Sequence, residues 1–419
     1  MTLLFYMFSA LVLLSTEPLA EAAKSRISPF KIDLSHRVPH MVDMIKRTQL
    51  PSSDLDVAVN SRNDSTNTGI SLSKLESLRS QWLHDFDWEK EQLELNRLKH
   101  FTTIIEGQTI HFIHEVSQAR NSIPLILLHG WPGSFLEMLP VINNLTLKNN
   151  SHIASSDEVS FDVVIPSLPG FGFSSPTPKN WTIDDTARVF NTLMQEVLGY
   201  DTYAVHGSDW GAFIGWSLYN SYPNSVRATH MALFPELPLQ PEQLNAENIT
   251  LSREDAFSEQ LWVDNSVGGS AYAVQQRTKP NTIGLALYDN PVGQLAWIAE
   301  KYISWSDPRR GTGPSVLNDH EILRVVSLYY LTESFTSAAY IYNQNPLSFA
   351  VPLSKARTGA PFLFSNFKYD TFFIPEQVIR PLTNLVYYKS WDFGGHFCGL
   401  DNPPALVQGL REIKKYWHY

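Results

Sequence analysis

Residues 203–216, YAVHGSDWGAFIGW, put a carboxylate where a reactive side chain could stand. A sharp strand-to-helix turn that presents a nucleophile needs small residues two places before and two places after it, because the backbone is too tight for side chains there. Centred on Ser208, those places hold His206 and Trp210, both bulky; centred on Asp209, they hold Gly207 and Gly211. The sterics select Asp209 over the neighbouring hydroxyl. The competing reading is an ordinary βα turn in which Asp209 caps the next helix. A carboxylate is ionised at neutral pH and needs no base to activate it. Attack on a carbonyl would give an anhydride, a poor route to ester or amide hydrolysis. Attack on an sp³ carbon with a strained or good leaving group gives a stable ester that water can cleave. Epoxides and alkyl halides are the electrophiles that suit this chemistry.

Cleaving such an ester requires a histidine to activate water, an acid to orient it and donors for a tetrahedral oxyanion. The string LLHGWPGSF at 127–135 follows an apolar strand and would bring the backbone N–H of Trp131 near that of Trp210; in isolation it is also a plain Gly/Pro turn. His396 lies in the glycine-flanked loop DFGGHFCGLDNP, where the alternative is a solvated surface histidine. The order nucleophile, acid, histidine is that of a hydrolase triad, which places the acid between them. Asp370, in the loop after PFLFSNF, is the candidate; Asp392, four residues before His396, is its rival, and Asp401 reads as a cap of the final helix.

These residues need strand ends to carry them. The runs 124–130, 161–167 and 203–207 are wholly apolar, as buried parallel strands are, and 228–235, 361–367 and 384–391 read as further parallel strands. Upstream, HFTTIIEGQTIHFIHEV reads as two strands joined by a tight turn at Glu106-Gly107. A helix is expected from Ser73, with Glu76 completing a capping box, and residues 24 to about 70 otherwise read as polar and irregular. Residues 236 to about 350 break the strand rhythm and are mostly helical. The last helix carries Leu406, Leu410, Ile413 and Trp417 on one stripe. The expected architecture is an α/β domain interrupted by a helical insertion above the carboxyl ends of its strands.

With 419 residues, 43% hydrophobic and 12% aromatic, the chain can bury a large core, and a net charge of −10 leaves no basic surplus to neutralise nucleic-acid phosphates. The apolar run Leu3–Leu14 followed by Ala20-Glu21-Ala22 reads as a secretory signal cleaved before Ala23, too short to span a bilayer. No stable membrane span is expected after cleavage, and the alternative is an N-terminal anchor in the endoplasmic reticulum membrane. Five sequons, at Asn63, Asn144, Asn149, Asn180 and Asn248, fit a secreted glycoprotein. Cys398 is the single cysteine, so no internal disulfide can form.

Taken in order, HGWPGSF, PSLPGFGFSSP, HGSDWGAF and GGHF resemble the motifs of the microsomal-type and fungal epoxide hydrolases of the α/β-hydrolase superfamily, and the stretch from ISPFKIDL to FIH resembles that subgroup's N-terminal meander. The resemblance implies an α/β-hydrolase fold with a mostly parallel eight-stranded sheet. Microsomal relatives often keep an uncleaved anchor where this chain reads as a signal at 1–22; beyond it the expected segments are an N-terminal arm at 23–100, core segments at 101–235 and 351–419 and a helical cap at 236–350. Two cap tyrosines that donate to the epoxide oxygen are implied at Tyr272 and Tyr342, with Tyr340 as competitor to the second. Trp131 and Trp210 would supply the oxyanion donors. No cofactor or metal is implied. The substrate would be a small-molecule epoxide and the product a vicinal diol, and a homodimer is one option. A haloalkane dehalogenase shares the aspartate, the histidine and a tryptophan after the nucleophile but lacks the tyrosine pair. A silent or epoxide-cyclising member of the fold would keep nearly the same residues.

Overall fold

The computed structural model describes residues 27–53, 68–146, 159–348 and 351–417. The expected signal segment and the sequons at Asn63 and Asn149 lie outside the described residues. Nine strands form one sheet among them: β1 (Ser28–Pro29), β2 (His100–Ile105), β3 (Gln108–Glu115), β4 (Ile123–Leu128), β5 (Phe161–Pro166), β6 (Tyr203–Gly207), β7 (Val226–Met231), β8 (Phe362–Tyr369) and β9 (Leu385–Gly395). Their order is β1-β2-β3-β5-β4-β6-β7-β8-β9. The pairs from β1 to β5 are antiparallel and those from β5 to β9 parallel. Glu106 and Gly107 both take positive φ, 52° and 78°, which matches the twist of the β2–β3 hairpin.

Eight strands were expected, and the ninth, β1, pairs Ser28 with Thr102 and Pro29 with Phe101 inside a stretch read as irregular. The same stretch holds a helix, Val38–Arg47, which buries Met41 and Ile45. Val38, Met41, Val42 and Ile45 recur at i, i+3, i+4 and i+7, so the apolar stripe of this helix is present in the sequence and the irregular reading is corrected. The next helix, Leu72–His84, begins one residue before the expected Ser73, because Ser71 accepts the backbone N–H of Lys74 and is the cap. At the other end, Asn402 rather than Asp401 caps the last helix, Pro403–Arg411, accepting the N–H of Ala405. Pro403 opens that helix, and a cap sits immediately before such a proline. Leu406, Leu410, Ile413 and Trp417 are all buried.

The sheet reverses direction of growth at β4, with β5 on one side and β6 on the other. Loops after β4 and β6 therefore diverge around a crevice at their carboxyl ends, where open α/β sheets hold ligands. Among the described residues, seven helices between Pro241 and Gln344 separate β7 from β8. The N-terminal helices brace this insertion. Trp82 Nε1 donates to Ser327 Oγ at 2.8 Å, and Lys74 pairs with Asp319 at 2.7 Å.

Candidate active site

Asp209 stands at the crevice in a left-handed conformation, φ 48° and ψ −130°, between β6 and the helix Trp210–Ser221. A non-glycine residue held there stores backbone strain. The surrounding glycines make the turn possible. A Cβ on Gly207 would lie 2.3 Å from the Gly211 carbonyl oxygen, and one on Gly211 would lie 2.2 Å from that of Leu128. A Cβ on Gly130 would strike Asp209 Oδ1 at 2.0 Å, so the HGW turn must be bare where the carboxylate lies over it.

The two carboxylate oxygens face different partners. Trp131 N donates to Oδ1 at 2.7 Å, and His396 Nε2 is 3.4 Å from Oδ2. The other nitrogen of His396, Nδ1, is 2.9 Å from Asp370 Oδ1. Asp370 follows the end of β8 and is also held by the N–H of Phe372. Its rival Asp392 lies on β9, largely exposed, and pairs with Lys368 and Arg309. His396 is fixed from the opposite side as well. Its backbone N–H donates to Trp305 O at 2.8 Å, and the Trp305 ring meets the imidazole edge-on at 5.1 Å. Burial works against a charge on His396, but the Asp370 and Asp209 carboxylates outweigh it and push the imidazole up to about 10. His129, the first residue of the HGW turn, behaves oppositely: burial pushes it down to about 4, so it is neutral and accepts the N–H of Leu168.

Two tyrosines close the crevice from the insertion. Tyr272, on the helix Ala271–Thr278, stacks on Trp131 with centroids 5.1 Å apart. Tyr342, on Phe335–Gln344, meets the Trp210 ring edge-on at 4.8 Å and Tyr272 at 5.8 Å. Burial raises both phenols, and the Asp209 carboxylate adds to this, so both keep their protons. Tyr340 is turned away and donates to Asn281. The structure thus gathers Asp209, His396, Asp370, Trp131, Trp210, Tyr272 and Tyr342 in one place.

Comparison with known proteins follows the same lines. Residues 27–138 match the family model described as epoxide hydrolase N terminus, and residues 123–403 match that of the alpha/beta hydrolase fold. Epoxide hydrolase 1 of Oryctolagus cuniculus is 30% identical, the match covering 92% of this chain and 88% of that one. The chain belongs to the epoxide hydrolases. The solved structure of the Aspergillus niger epoxide hydrolase is 31% identical and superposes with a TM-score of 0.79, covering 94% of this chain and 97% of that one. The juvenile hormone epoxide hydrolase of Bombyx mori, 24% identical over 94% of this chain and 95% of its own, shares the fold with a TM-score of 0.80.

This epoxide hydrolase carries site residues that sequence reasoning missed. Glu137 is buried beside the neighbour of Asp209, with Ser208 Oγ 3.5 Å from its Oε1. Burial pushes its carboxyl up to about 8, His396 opposing and Asp209 adding to the rise. The signal was a lone carboxylate in the apolar string SFLEML. Trp305 and Lys301 lack any such mark. A cavity of about 850 Å³ runs from Tyr272 and Asp370 between the insertion helices, past Trp297 and Lys301, to Thr68 and Gly69. The asparagines of the sequons at Asn144, Asn180 and Asn248 are exposed, although Thr146 of the first is buried. Among the described residues no helix is long and apolar enough to cross a membrane.

Proposed function

We propose that this epoxide hydrolase opens its substrate through a covalent ester on Asp209. The observation that carries the reading is the division of the Asp209 carboxylate between a backbone donor at 2.7 Å and the imidazole of His396 at 3.4 Å, with Asp370 behind the imidazole. One carboxylate oxygen attacks an epoxide carbon, and the C–O bond breaks toward the ring oxygen. Tyr272 and Tyr342 hydrogen-bond that oxygen and supply its proton, and the phenolate regains a proton from the His396 imidazolium. The neutral imidazole then takes a proton from water, and the hydroxide adds to the ester carbon. The N–H groups of Trp131 and Trp210 hold the resulting oxyanion. Collapse passes the carboxyl proton to the departing alkoxide, and a vicinal diol leaves with Asp209 and the imidazolium restored. Atoms sum to epoxide plus water.

A single turnover of an aryl epoxide in ¹⁸O-water tests the scheme. Label is expected in the Asp209 carboxylate, with the first diol carrying unlabelled oxygen from the protein. Label that enters only the diol excludes the ester. A dehalogenase reading is less well supported, because the two tyrosines occupy the place where a departing oxygen needs acids. We also propose entry into the secretory pathway, on the strength of the apolar N-terminal run and three sequons with exposed asparagines. A loss of mass on glycosidase treatment of the protein recovered from the medium is the expected outcome, and an unchanged mass counts against it.

A further inference from the structure

The cavity wall carries three carboxylates, Asp264, Glu300 and Asp370, and a single basic group, Lys301. Lys301 sits on the helix Pro291–Ser304 and is only 4% exposed. Taking an ammonium out of water is costly unless the protein repays it with partners. Here the partners are Glu300, which forms an ion pair with it, and three aromatic rings. Nζ is 4.9 Å from the centroid of Tyr272, 5.6 Å from that of Trp297 and 5.9 Å from that of Trp305. All three lie within the range of cation–π attraction. Burial lowers the ammonium from its ordinary range and Glu300 opposes the change.

A methionine would fill the same volume without the desolvation cost, so the fold has no need of a charge at this place. The nearest ring belongs to the tyrosine proposed above as an acid. As that phenol gives up its proton, negative charge spreads over the ring face that Lys301 overlies. An ammonium there stabilises the ring more after the transfer than before it, which is the condition for accelerating a step. Tyr272 is itself stacked on Trp131.

Resting on the epoxide-opening reading, we propose that Lys301 is a positioning residue for ring opening, acting through Tyr272 and having no part in ester hydrolysis. Its position on the wall, and not at Asp209 or His396, separates the two half-reactions. The contacts of Nζ are with Glu300 and the rings of Tyr272, Trp297 and Trp305, and not with Asp209 or His396.

Single-turnover kinetics on the full protein test this, with ester formation and decay followed by tryptophan fluorescence and by quenched-flow mass measurement of Asp209. The probes are an aryl and a long-chain aliphatic epoxide. Lys301→Met is expected to slow ester formation about tenfold and leave the rate of ester decay unchanged, and Lys301→Arg to restore most of the loss. On a Tyr272→Phe background, the same Lys301→Met change should cost less than twofold, since coupled residues are not additive. Equal slowing of both phases, or a full tenfold cost without the tyrosine hydroxyl, overturns the assignment and makes Lys301 a structural residue. If the unaltered protein forms no ester on Asp209 with either probe, the ring-opening reading falls and the assignment falls with it. If that protein forms the ester and Lys301→Met matches its rate, only the assignment falls.

Discussion

Asp209, His396 and Asp370 enter the site from the ends of β6, β9 and β8 and are joined by polar contacts of 2.9 and 3.4 Å, with the backbone N–H of Trp131 donating to Asp209 at 2.7 Å. Tyr272 and Tyr342 come from two insertion helices and are positioned by ring faces and edges 4.8 to 5.8 Å apart. One side is directional and charged; the other is largely aromatic, its two phenols hydrogen-bonded to each other and the Lys301 ammonium lying over the Tyr272 ring. Polar contacts fix a group to tenths of an ångström, as attack along one line demands. Aromatic packing places a hydroxyl while tolerating rotation of the helix that bears it, which suits donors that must meet an oxygen moving as its bond breaks. In the mechanism proposed, the sheet side serves both half-reactions and the insertion side only the first.

Removing a group from each side should therefore fail differently. His396→Gln is expected to cut turnover by about 10³-fold or more, at the upper end for a lost general base, while ester still forms and accumulates on Asp209. Intact-mass measurement after mixing with substrate reads this directly, and a variant that never esterifies would erase the contrast. Tyr272→Phe and Tyr342→Phe should each slow ester formation by roughly 10- to 100-fold and together by about 10³-fold, with decay of preformed ester unaffected. Quenched-flow measurement of both phases checks it, and slowing of decay would place the tyrosines on both steps.

The smallest expected effect sharpens the sheet side alone. Glu137 has a folded-state value near 8, above the ordinary carboxyl value of 4.5. Its protonated form is favoured by folding, so the stability it contributes is present below about pH 4.5 and is lost as pH rises through about 8. Glu137→Gln keeps a polar group for Ser208 and cannot ionise. Melting temperatures of variant and parent should coincide near pH 4 and diverge by a few degrees in the variant's favour at pH 9. Identical curves at both values would mean that the carboxyl is rehydrated.

The contrast also explains what could be read in the chain. Asp209 is legible because its turn leaves a local trace: two glycines at fixed offsets, each closed to a Cβ by backbone 2.2 to 2.3 Å away. His396 and Asp370 are legible through chain order and position after strands. Tyr272 and Tyr342 have no local mark, since the two residues are 70 apart in sequence and their rings meet only after folding. They were identified through family resemblance alone. Glu137 and Lys301 escaped notice because burial, which gives a lone charge its meaning, is a tertiary property. The helix at Val38–Arg47 does carry its stripe in the sequence, Val38, Met41, Val42 and Ile45 at helical spacing, and was legible there. Asp401 was misassigned by one position; it turned inward instead, accepting the N–H of Asp307 at 2.6 Å.

The clamp on His396 has a temporal consequence. Two carboxylates hold the imidazole in its charged form, and a charged imidazole cannot take a proton from water. In the proposed mechanism, esterification neutralises one of the two, Asp209, and so removes part of what keeps the proton on the ring. The base is thus released by the event that creates its substrate. Before that event the site cannot squander a hydroxide on an empty pocket, and the sequence of the two half-reactions is written into the spacing of three side chains.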